Sequence, residues 1–147
     1  MSVRIAAVTA AISALALAGA AMVSEAATLD YDYFKAKVQP IFLAKRPGHA
    51  PCVMCHAEAN NMLRLQKLSH AETWNEEDTR KNFDTVSKIV EAADDPLQSK
   101  LLIHPLAPEA GGDPFHSGGR QFADKNDPNW KIIEDWATGA TLAPAKK

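Results

Sequence analysis

The sequence predicts an all-α domain. Apolar residues recur at helical spacing in several segments, Asp-Pro pairs open two of them, and alternating β-branched runs are scarce. Residues 29–45 place Leu29, Tyr33, Phe34, Val38, Ile41 and Phe42 near one helix face, with Asp30 or Asp32 as a cap. Pro40 falls inside that run and predicts a kink or a split there. Pro47-Gly48 marks a turn, and residues 52–59 form a short helical segment. Residues 74–91 carry Trp74, Phe83, Val86, Ile89 and Val90, an amphipathic pattern strongest in the second half. Asp95-Pro96 opens a short helix bearing Leu97, Leu101 and Leu102 that ends before Pro105. Residues 105–128 are rich in glycine and proline and read as a long functional loop. Asp127-Pro128 repeats the cap signature. The helix after it sets Trp130, Ile133, Trp136 and Ala137 on one face and stops at Gly139.

The first 26 residues differ from the rest. A short positive start at Arg4 precedes an alanine-rich apolar run, and Ser24-Glu25-Ala26 supplies small residues where a signal peptidase cuts. A cleavable secretory signal peptide over residues 1–26 is expected, with one domain over 27–147 and export to the periplasm. A retained membrane anchor is the competing reading, disfavoured because alanine inserts more weakly than leucine. Of the 147 residues, 46% are hydrophobic and 23% charged, which is ordinary globular composition. A formal net charge of −2 gives nucleic-acid binding no electrostatic support. Two cysteines are too few for a disulfide scaffold.

Those two cysteines lie in Cys52-Val53-Met54-Cys55-His56, the C-x-x-C-H attachment sequence of c-type haem. Two thiols three residues apart on a short helix can each add to one porphyrin vinyl group. His56 then offers its imidazole to the iron from the same side. A zinc site through Cys52, Cys55 and histidines competes, but there is no second cysteine pair, and adjoining Cys55-His56 suits a closed tetrahedron poorly. A thioredoxin-like redox pair lacks its βαβ context, and a disulfide across two residues leaves His56 unexplained.

The opposite axial position decides whether such an iron carries electrons or binds substrate. Met1 and Met22 leave with the signal peptide, Met54 sits inside the attachment loop, and Met62 is only six residues past His56. Histidine is therefore expected. His49 precedes the motif and belongs on its rim, and His70 lies in a polar stretch facing solvent. His116, in Phe115-His116-Ser117-Gly118-Gly119-Arg120, is the first choice, because glycines let backbone pass close to a flat cofactor. His104, after Leu101-Leu102-Ile103, is the second. Arg64 and Arg120 are candidate propionate partners, each weighed against a plain surface arginine. Phe83, Phe115, Phe122, Trp130 and Trp136 are candidates to wall the cofactor, or simply core aromatics.

Together, Phe34, Val38, Gln39, Pro40, Ile41 and Phe42, then Cys52–His56 and Leu63-Arg64-Leu65, form a pattern that resembles the small monohaem cytochrome c domains common in planctomycetes and acidobacteria. The later segments fit as well: Asp95-Pro96 with Ser99–Leu102, His116-Ser117-Gly118-Gly119, and Asp127-Pro128 through Ala140. The resemblance covers nearly all of residues 27–147. It implies a cytochrome c-like helical fold with long loops around one covalent haem c, the first and last helices crossing beside it. It also implies the distal position for the histidine of an H-x-G-G loop, which is His116 here. The Met-Pro that other branches carry in this region is missing.

The expected function is a periplasmic or extracellular one-electron carrier with bis-histidine haem ligation, serving redox protein partners and needing no catalytic residue. An open-site haem enzyme or gas sensor, with His104 or His116 as a distal acid/base, is one alternative. The haem-bearing subunit of a larger respiratory or cytochrome assembly is the other.

Overall fold

A computed structural model describes residues 28–69 and 71–143, and it is helical. The expected leader, residues 1–26, and His70 lie outside the described residues. The chain enters helix at α1 (Tyr31–Tyr33), where the Asp30 side chain accepts from the Tyr33 amide. It continues through a π turn (Phe34–Val38) into α2 (Gln39–Leu43). Pro40 has no N–H to donate, and its ring needs room against the turn before it. The preceding turn opens to provide that room, so the Gln39 amide donates to the Phe34 carbonyl five residues back. The helix therefore runs on through Pro40 to Leu43 rather than dividing there, and the irregularity falls one turn upstream of the predicted break.

The C-x-x-C-H segment forms α3 (Cys52–His56), packed against α2. Helix α4 (Glu76–Glu91) starts where Asn75 accepts from the Asp78 amide. Its first turn carries Glu76, Glu77 and Asp78, whose charges suit the positive end of the helix dipole. The segment opened by Asp95-Pro96 is divided: a 3-10 turn (Pro96–Gln98) precedes α5 (Lys100–Ile103). Asp95 caps the 3-10 turn as the sequence predicts, accepting from the Leu97 amide. Helix α6 (Pro128–Ala137) is capped by Asp127, which accepts from the amides of Asn129 and Trp130. It ends ahead of Gly139, whose φ of 97° suits glycine.

The core is the crossing of the first and last helices, closed from the side by α4. The Phe34 ring lies 5.3 Å from Trp136 and 5.4 Å from Phe83, centroid to centroid. The Trp136 indole N–H donates to the Asp30 carbonyl at 2.8 Å, so α6 also holds the start of α1. Trp130, at the other end of α6, donates to the Leu102 carbonyl at 3.2 Å and fastens α5. Phe34, Val38, Leu102, Trp130, Ile133 and Trp136 are almost wholly enclosed.

The long loop after α5 is closed at its base. The Ala107 amide donates to the Phe122 carbonyl at 2.9 Å, and the Phe122 amide donates to the Pro105 carbonyl at 3.1 Å. A 3-10 turn (Pro108–Ala110) sits inside it. Gly112 crosses the Leu106 carbonyl so closely that a Cβ would stand 2.0 Å from its oxygen, a position only glycine can take. Among the described residues there is no strand beyond two isolated bridges, and no helix is long and apolar enough to cross a membrane.

Phe34→Ala, at the centre of the crossing, is expected to cost about 3–5 kcal/mol. Urea unfolding should show this as a lower midpoint with little change in slope.

Candidate functional site

Helix α3 places Cys52, Cys55 and His56 at i, i+3 and i+4, on one face. Val53, between them in sequence, is buried and anchors the opposite face. Both thiols are free; Cys52 is half-buried and Cys55 exposed. Burial pushes the Cys52 thiol up from its ordinary value, against the weaker pull of the Arg46 charge.

His56 is held twice by the strand of chain that follows it. Its Nδ1–H donates to the Leu63 carbonyl at 2.7 Å, and its own carbonyl accepts from the Leu65 amide at 3.0 Å. A carbonyl can only accept, so Nδ1 carries a proton in this contact. His116 makes the same contact on the long loop: its Nδ1–H donates to the Gly119 carbonyl at 2.6 Å. Burial pushes the His116 imidazole below its ordinary value, so the ring is neutral and basic at Nε2 near pH 7. Gly118 makes the loop thin here, since a Cβ would stand 3.0 Å from the His116 Cε1.

The His56 and His116 rings lie close together, with centroids 6.3 Å apart and planes within 18° of parallel. Two imidazoles binding one ion from opposite sides through Nε2 need centroids roughly 6 Å apart, given metal–nitrogen bonds of about 2.0 Å. Both rings turn Nδ1 to a backbone carbonyl, which leaves Nε2 as the nitrogen each could offer to a metal. Among the described residues no group of three or more His, Cys, Asp or Glu side chains is placed to hold a metal ion.

His104, the second candidate, packs its ring edge-on against His116, centroids 4.8 Å apart. Its Nδ1 meets the Asp113 carboxylate at 2.8 Å, and Lys100 meets the same oxygen at 2.8 Å. Lys100 and then His104 hold the Asp113 carboxyl below its ordinary value. His49, expected on the rim of the motif, lies against Gly119 of the opposite loop. Arg64 is exposed, and Arg120 pairs on the surface with Glu109 at 3.3 Å.

The expected aromatic wall divides. Phe83, Trp130 and Trp136 serve the helix crossing and its ends, Phe122 is buried at the loop base, and Phe115, beside His116, is exposed. No family model, curated protein or solved structure matches the chain.

Arg46 and Asp127 are the connection that sequence reading missed. The Arg46 guanidinium meets both Asp127 oxygens, at 2.8 and 3.0 Å, donates to the Gln121 carbonyl, and lies 4.6 Å over the Phe122 ring. Gln121 in turn donates to the Gly118 carbonyl at 3.0 Å. One side chain from the turn before α3 thus fastens α6 and the loop that carries His116. A Pro-Gly turn beside Arg46 carries no sign of a partner some eighty residues away.

Partial burial alone would raise the Asp127 carboxyl. The Arg46 guanidinium and the two capped amides outweigh it and hold the group below its ordinary value. A depressed folded value means that this increment of stability is present above the unfolded value, about 3.9, and is lost as pH falls through the folded one. Asp127→Asn keeps a cap and removes the charge. It is expected to cost on the order of 1–2 kcal/mol at pH 7 and to flatten the acid decline below about pH 4 in urea midpoints taken across that range.

Proposed function

We propose that this chain is a small c-type cytochrome domain that carries one electron at a time on a single haem with bis-histidine ligation. What supports the reading is the pair of near-parallel imidazoles at 6.3 Å, each turning Nδ1 to a backbone carbonyl, with Cys52 and Cys55 on the same short helix as His56. Cys52 and Cys55 are the thioether positions, His56 the proximal ligand and His116 the distal one.

When bound, haem supplies a one-electron Fe(III)/Fe(II) couple. The Leu63 and Gly119 carbonyls hold the imidazole protons at Nδ1, which fixes each ring's tautomer and raises the basicity of Nε2. Two imidazoles without a thioether ligand favour the ferric state, so the potential lies below that of comparable His/Met cytochromes. The leader suits export to the periplasm. A net charge of −2 suits transient docking with redox partners rather than strong electrostatic steering toward one of them.

The contact of His104 with Asp113, next to His116, favours a second reading. In that reading His104 is a distal acid/base over an open iron position, as in a peroxidase-like enzyme or a gas sensor. The two readings differ in the spin state of the ferric protein.

Protein exported with the haem-attachment machinery is expected to carry one haem mass on the intact chain and to show a low-spin ferric absorption spectrum without added ligand. His116→Ala should turn the spectrum high-spin and admit cyanide or carbon monoxide, whereas His104→Ala should leave it low-spin. An unchanged low-spin spectrum in His116→Ala would remove His116 as ligand. A high-spin wild type that takes up these ligands directly would favour the enzyme or sensor.

A further inference from the structure

We infer that Asn82 and Trp74 are positioning residues for His56, acting through the backbone of Gln66. This rests on the haem reading above and adds to it the device that sets the electron-donor strength of the proximal ligand.

Both backbone groups of Gln66 are gripped by side chains from outside its segment. The Asn82 Oδ1 accepts from the Gln66 amide at 2.7 Å, and the Trp74 indole N–H donates to the Gln66 carbonyl at 2.7 Å. Neither grip is a surface contact: Asn82 is 0% and Trp74 6% exposed. Just before Gln66, the Leu65 amide donates to the His56 carbonyl and the Leu63 carbonyl accepts the His56 Nδ1 proton. A single peptide unit lies between the Leu65 amide and the gripped Gln66 carbonyl, which leaves the chain little slack. Fixing Gln66 therefore fixes the Leu63 carbonyl against the imidazole.

The choice of asparagine on α4 is otherwise hard to account for. Its Nδ2 is buried without a hydrogen-bond partner among the described residues, which costs free energy that a leucine of similar size would avoid. What asparagine supplies is Oδ1, the acceptor for the strap.

A shorter, straighter Nδ1–H···O bond makes Nε2 more electron-rich and favours the ferric state; a longer one does the reverse. Loosening the strap thus raises the reduction potential, an effect that a role in packing alone would not produce in the folded protein.

The test uses the haem-bearing protein with Trp74→Phe, which keeps an aromatic ring and deletes the donor, and Asn82→Leu, which deletes the acceptor. Both are expected to raise the reduction potential, to shift the His56 Nδ1 proton resonance of the ferrous state, and to speed hydrogen exchange at the Gln66 amide. If Asn82→Leu does not fold, Trp74→Phe decides alone. A folded, haem-bearing Trp74→Phe at the wild-type potential, with the His56 resonance unmoved, overturns the inference and leaves the haem reading standing. A wild-type protein that never acquires haem ends both, and is told apart by its lack of colour before any variant is made.

Discussion

The site depends on where two protons sit. An imidazole can serve a metal through Nε2 only if its other nitrogen keeps the hydrogen, and a backbone carbonyl is the simplest group that enforces this. The chain does it on both sides of the site, at Leu63 for His56 and at Gly119 for His116. Neither carbonyl belongs to a helix. Both lie in connecting segments, so the rest of the fold must hold irregular backbone in place.

Each side is held differently. On the His56 side the acceptor segment lies along His56, pairing with its carbonyl through Leu65, and is gripped at Gln66 from α4 and from Trp74. On the His116 side the loop is closed at its base by the pairing around Leu106 and Phe122, and Arg46 and Gln121 hold the residues just before that base. Beneath both lies the crossing of the first and last helices, where Phe34 and Trp136 meet. The ion pair of Arg46 with Asp127 joins that crossing to the loop, because the carboxylate that receives the guanidinium also caps α6.

Local signals made the helices and half of the site legible. Asp30, Asp95 and Asp127 cap the segments they were expected to cap, since a cap is decided by residues two or three positions away. The C-x-x-C-H spacing singled out Cys52, Cys55 and His56, and the structure sets the three on one short helix. His116 emerged from an inventory of methionines and from flanking glycines, and its ring is the one that lies near-parallel to that of His56. What stayed hidden was long-range. Nothing near Arg46 announces Asp127, nothing near Asn82 announces the Gln66 amide, and Phe83 read as a wall residue equally well whether it faced a cofactor or Trp136. Pro40 was legible as an irregularity, but the chain's answer, a widened turn before it, depends on backbone room that sequence spacing does not encode.

The orientation of the two rings offers the most direct test of a bis-histidine haem. Axial imidazoles in near-parallel planes reinforce each other in splitting the iron dπ orbitals, whereas crossed planes leave them nearly degenerate. With planes 18° apart, the low-temperature electron paramagnetic resonance spectrum of the ferric protein should be low-spin and rhombic. A high-spin axial signal, or no haem signal from purified exported protein, would contradict the account.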